Sequence, residues 1–106
     1  MKTLDTDLLA EMTRRLVDEF HPEQIILFGS HAWGTPDESS DVDVVVVVPD
    51  SDLSPHLRAA HAYRALRGLP MPIEVRVRTR AEFERYRDVR ASLEHQISEE
   101  GKRLYG

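Results

Sequence analysis

Apolar residues first recur at helical spacing at Leu8, Leu9, Met12, Leu16 and Val17, which predicts an amphipathic helix over Thr6 to Glu19. Asp5 or Thr6 can cap its start, and Pro22 stops it beyond Phe20. The period then changes. Gln24 to Phe28 is apolar and rich in β-branched residues, the composition of a buried strand ending at Gly29. Gly34 to Ser40 collects turn formers and acids and reads as a loop. A second strand runs from about Val42 to Val48 and ends at Pro49. Ser54 and Pro55 read as a helix N-cap followed by proline at the first helical position, with Gly68 as the stop. That helix is expected to bury Leu57, Ala60, His61 or Ala62, and Leu66. After the connector Leu69 to Pro72, Ile73 to Arg78 alternates: Ile73, Val75 and Val77 on one face, Glu74, Arg76 and Arg78 on the other. Thr79 to Glu82 forms a capping box for a last helix, from Arg80 to about Glu100 and closed by Gly101.

The order helix, strand, strand, helix, strand, helix predicts one α+β domain spanning residues 1–106. Its economical packing is a mixed, three-stranded core sheet with helices packed on one face. Asp41, Asp43 and Glu74 are then expected on the open face. The formal charge of −5 argues against direct, non-specific nucleic-acid binding, even though Arg76 to Arg90 is rich in arginine. The absence of cysteine excludes a disulfide framework and a thiolate metal site. The longest apolar run, Val44 to Val48, is too short to cross a bilayer, and no signal peptide is visible. A soluble cytoplasmic protein without membrane contact is the expectation.

The candidate chemistry lies between Leu27 and Val48. A Gly-Ser pair can wrap its backbone and hydroxyl around a phosphate. Two carboxylates one residue apart on a strand point the same way, so Asp41 and Asp43 are spaced to hold a hard divalent cation. Three Asp-x-Asp pairs occur in the chain. Asp5 and Asp7 begin a helix and Asp50 and Asp52 lie in a polar turn, so local capping and solvation explain both. Asp41 and Asp43 lead five consecutive valines, where acids are disfavoured without a ligand. Neither a P-loop nor a dinucleotide-binding glycine fingerprint is present. The phosphate-binding candidates are Gly29, Ser30, Gly34 and Ser40, with the glycines letting the backbone approach closely.

LFGSHAWG…SDVDVVVVV resembles the signature of the minimal nucleotidyltransferases, a branch of the DNA polymerase β-like superfamily. PIEVRVRTRAEFERYR resembles that family's third-carboxylate strand and following helix, and SEEGKRLYG its usual ending. The resemblance implies a small polymerase β-like fold, with Gly29 and Ser30 on the triphosphate of ATP. It implies two magnesium ions on Asp41 and Asp43, with Glu74 at the place of the third carboxylate. Two departures stand out. Basic residues are common in the family where this chain has His31 and Trp33, and the third carboxylate is usually aspartate. A metal ligand displaced by about an ångström can cost on the order of a hundredfold in rate, but a longer glutamate can bend back to coordinate.

The expected activity is transfer of AMP from ATP to a hydroxyl, and so little surface points to a partner that supplies the acceptor. In the family such proteins are commonly antitoxins of HEPN-type toxins, which they silence by adenylylating a tyrosine. The alternatives are a catalytically weak antitoxin acting by occlusion and an enzyme for a small hydroxylated molecule of the aminoglycoside kind, whose acceptor pocket a dimer would have to build. The chain's own assembly, homodimer or hetero-oligomer, is left open. Arg76 and Arg78 either neutralise the carboxylates, contact the triphosphate, or pair on an exposed strand face. Trp33 is open between base stacking and an interface anchor. His31 is read as a turn residue near the phosphate, and His21, His56, His61 and His95 show no metal-ligand spacing. Tyr63, Tyr86 and Tyr105 are conceivable self-modification acceptors without a local activating group.

Overall fold

The computed structural model describes residues 5–34 and 41–106. Its elements in chain order are α1 (Thr6–Phe20), β1 (Gln24–Phe28), α2 (Ser30–Trp33), β2 (Val42–Val48), α3 (Pro55–Ala65), β3 (Ile73–Thr79), α4 (Arg80–Arg87), α5 (Leu93–Glu100) and β4 (Lys102–Tyr105). The sheet order is β3-β2-β1-β4. β1 lies antiparallel to both neighbours, whereas β2 and β3 run parallel. A parallel pair needs a crossover, and α3 supplies it. The architecture is α+β with a mixed sheet, as the sequence predicts.

Local signals account for most boundaries. The Asp5 carboxylate accepts from the amides of Asp7 and Leu8, Ser54 Oγ from that of Leu57, and Thr79 closes a reciprocal capping box with Glu82. α3 ends at Ala65, short of Gly68. There the Arg15 guanidinium on α1 donates to the carbonyls of Ala65 and Arg67, 3.4 and 2.9 Å away, taking up free helix-end acceptors. β3 is an edge strand, and the Val75 amide donates to the Tyr63 hydroxyl at 3.1 Å, which gives Tyr63 a structural task.

The valine run of β2 is buried on both sides. Val42, Val44, Val46 and Val48 pack with Met12 and Leu16 of α1, Ala62 and Leu66 of the α3 end, and Val75 and Val77. Val45 and Val47 face the other way, with Ile26, Phe28, Phe83 of α4 and Ile97 of α5. The expectation of helices on one face therefore holds only for α1 and α3; α4 and α5 cover part of the opposite face. The single last helix is also corrected, being broken between Asp88 and Ser92. Phe83 and Ile97 would stand roughly 20 Å apart along one straight helix, yet both pack over Val45 and Val47. The break folds α5 back, and Ser92 caps its new start by accepting from the His95 amide.

β4 is a fourth strand with no counterpart in the sequence reading. Gly101 lets it form: a Cβ there would lie 2.5 Å from the Ile97 carbonyl oxygen and 2.6 Å from Ile26 Cγ2. In α3 the predicted inward set is also corrected. Leu57 and Ala60 are exposed, and Arg58 is buried beside Ala62. Its guanidinium donates to the carbonyls of Leu53 and Val77 at 3.0 and 3.1 Å and forks onto Glu82 at 2.7 and 3.1 Å. This ties α3, the end of β3 and the first turn of α4 together.

The Arg58 guanidinium holds the Glu82 carboxyl down at about 2 from its ordinary 4.5. A carboxylate with a depressed folded-state pKa contributes stability that is complete above pH 4.5 and lost as pH falls through about 2. Glu82→Gln keeps the capping geometry and removes the charge. Urea unfolding should show it destabilised by about 2 kcal/mol at pH 7, below the range for a fully buried pair because water screens the partly open carboxylate. The gap to the wild type should narrow steadily between pH 4.5 and 2.

Candidate active site

Three strand ends meet at one rim of the sheet. The antiparallel register sets Phe28, the last residue of β1, opposite Asp43 on β2. The parallel register sets Asp43 beside Glu74 near the start of β3. The Val42 amide donates to the Pro72 carbonyl at 2.8 Å, which fastens the two strand starts together. Alternation then puts Asp43 and Glu74 on the face of Val45 and Val47, away from α1 and α3. The sheet thus brings together the acids that lie far apart in sequence.

The Gly-Ser turn reaches the same rim. Gly29 has φ 78° and ψ −157°, a region that essentially only glycine occupies. It is also pressed against the second acid, since a Cβ on Gly29 would lie 2.2 Å from Asp43 Oδ2. Its carbonyl accepts the amides of Ala32 and Trp33 at 2.9 and 3.0 Å and so opens the short helix α2, which starts at Ser30. The Gly34 amide closes that helix on the Ser30 carbonyl at 3.1 Å. Ser40 lies outside the described residues. The Trp33 ring sits 6.2 Å from that of Phe28 and packs against the core cluster of Phe83 and Ile97, which accounts for it as a packing residue.

The Asp43 carboxyl is pushed above its ordinary value, first by burial, then by the negative charge of Glu74 and a hydrogen bond shared with it, then by Asp41; Arg76 opposes the shift. Asp41 is exposed at the entry to β2, and Glu74 is about half exposed. Among the described residues no group of three or more His, Cys, Asp or Glu side chains closes around one point. The acids form a pair, Asp43 with Glu74, and Asp41 adds its charge from further off. Like-charged carboxylates gathered at a half-buried rim are a donor set that fits a hard divalent cation, whose roughly six oxygen positions phosphate and water can complete. None of these residues lines the concavity of about 470 Å³ between α1 and β4, which Leu9, Val17 and Leu104 help to form.

What the sequence does not signal is the Gly29–Asp43 contact. A glycine after a strand is usually read as a turn, and only the β1–β2 register shows that it must also make room for a carboxylate.

Residues 9–104 match the family model of the nucleotidyltransferase domain. The chain belongs to the polymerase β-like nucleotidyltransferases. Among solved structures it is similar to the 1.40 Å crystal structure of a "putative nucleotidyltransferase" from Sulfolobus solfataricus. That match has 25% identity and a TM-score of 0.60, and covers 74% of this chain and 70% of the other. No curated protein matches the chain. Among the described residues no helix is long and apolar enough to cross a membrane.

Gly29→Ala should destabilise the protein by roughly 1–3 kcal/mol for the backbone conformation alone, with a further loss from the contact with Asp43. In equilibrium urea unfolding, Gly29→Ala/Asp43→Ala should recover the contact part of that loss and leave the backbone part.

Proposed function

We propose that this nucleotidyltransferase moves AMP from ATP onto a hydroxyl, and that the acceptor is a tyrosine of a HEPN-type toxin that it silences as an antitoxin. The observation that carries the chemistry is the meeting of Gly29, Asp43 and Glu74 at one sheet rim. Gly29 and Ser30 bind the β- and γ-phosphates, and Gly34 and Ser40 are the further phosphate-binding candidates. Asp41, Asp43 and Glu74 would hold two magnesium ions, which when bound offset the charge on the phosphates and acidify the acceptor hydroxyl.

The acceptor oxygen attacks the α-phosphorus in line, and the bond to the bridging α–β oxygen breaks. Pyrophosphate leaves. Glu74, half open to solvent, can accept the hydroxyl proton. Binding of the phosphates depends on the fixed backbone of Gly29, and orientation of the acids depends on the β2–β3 register. The role as antitoxin rests on the sequence resemblance and on the small surface of the chain.

One feature favours a second reading, a weakly catalytic antitoxin that acts by occlusion: the third carboxylate is the longer glutamate. Glu74→Asp tests the point directly. A rise in rate of tenfold or more would mean that the natural chain is attenuated, whereas a fall would mean that the rim is built for glutamate.

The broader experiment offers the chain, with magnesium and labelled ATP, the product of its neighbouring gene and, separately, an aminoglycoside. Label should move to the neighbouring gene's product and be lost in Asp41→Ala/Asp43→Ala. Tight complex formation without any label would leave occlusion, and label on an aminoglycoside instead would establish the small-molecule enzyme.

A further inference from the structure

Arg76 stands two residues after Glu74 on the same face of β3, and its Nη2 lies 3.6 Å from Glu74 Oε1. That separation is too long for a hydrogen bond. An arginine committed to a carboxylate looks different, as Arg58 forked onto Glu82 does at 2.7 and 3.1 Å. Among the described residues the buried Arg76 Nε has no hydrogen-bond partner, although a buried donor normally finds one. Arg76 also borders a cavity of about 120 Å³ with Val45, Phe83, Leu93 and Glu94. Arg78, one step further along that face, is already used: its Nη1 donates to the Val77 carbonyl at 3.3 Å, and its charge acts on Glu82. Arg76 is therefore held beside the acids by charge, without a bond that fixes it.

We propose that Arg76 is a built-in counter-cation for the Asp43–Glu74 pair, standing in for the divalent ion and giving way when that ion arrives. The inference rests on the metal-binding reading of the two acids. Two carboxylates pressed together need a neighbouring positive charge if both are to stay ionised. A guanidinium held by two hydrogen bonds would supply that charge but would be expensive to displace. One held loosely supplies it and can swing into the adjoining cavity. The same positive charge repels an incoming divalent ion, so Arg76 keeps the nucleotide-free site weak for metal. ATP brings its own negative charge and relieves that repulsion, which links metal binding to nucleotide binding.

The test is the affinity of the full chain for Mn²⁺ without nucleotide, followed by the EPR signal of the free ion, with circular dichroism to confirm folding. Arg76→Gln and Arg76→Met should each bind Mn²⁺ roughly three- to tenfold more tightly than the wild type. Arg76→Lys, which keeps the charge, should stay near the wild type, and the difference should shrink as KCl is raised. A merely structural role predicts the opposite sign, because loosening the rim weakens binding. Equal or weaker Mn²⁺ binding by both neutral variants, with wild-type binding lost in Asp43→Asn and Glu74→Gln, would overturn the inference alone. Wild-type affinity unchanged by Asp43→Asn and Glu74→Gln would overturn the metal-binding reading and the inference with it.

Discussion

The parallel pairing of β2 with β3 is the constraint from which the site follows. It places Asp43 beside Glu74, and a shift of one residue would send one of the two carboxylates to the opposite face. Nothing in the valine run resists such a slip, because Val44 to Val48 are interchangeable and buried on both sides. The register is held by features outside the run. Val42 is tied to the Pro72 carbonyl, and the alternation of β3 allows only one of its faces into the core around Met12 and Leu16. At the other end, Arg58 joins the Val77 carbonyl to Glu82 and stops β3 from sliding against α3 and α4.

Strand direction decides why the chemistry collects at one rim. β1 runs towards the rim and delivers Gly29 at its end, while β2 and β3 run away from it and deliver Asp43 and Glu74 near their starts. Backbone that can meet a phosphate and carboxylates that can meet a cation therefore arrive together. The penalty is electrostatic. Asp43 is half buried among like charges and its carboxyl is held less acidic than usual, while Arg76 offers a nearby positive charge that opposes the shift. An acidic rim whose carboxylates repel one another is suited to a positively charged ligand.

The second face of the sheet shows how a short chain closes a core on both sides. Splitting the last helical segment lets Phe83 and Ile97 cover Val45 and Val47. The turn at Gly101 then sends the chain into β4 against β1, so that the C-terminal residues pair with the strand that carries the Gly-Ser turn.

Local chemistry was enough to read α1, β1, β2 and β3 almost to the residue, because their periodicity, the caps Asp5, Ser54 and Thr79, and the stops at Pro22 and Pro49 act within a few positions. The Gly-Ser turn, the Asp-x-Asp pair and Glu74 were legible for the same reason, as was the resemblance they carry to the nucleotidyltransferases. Five things needed the tertiary structure. β4 is four residues long and mostly polar, so only its pairing with β1 marks it as a strand. The break before Ser92 follows from the distance over which Phe83 and Ile97 must reach one core. The burial of Arg58 in place of Leu57 depends on Glu82 and on the Val77 carbonyl, both from distant segments. The contact of Gly29 with Asp43, and the loose hold of Arg76 on Glu74, are products of strand register, which no residue signals by itself.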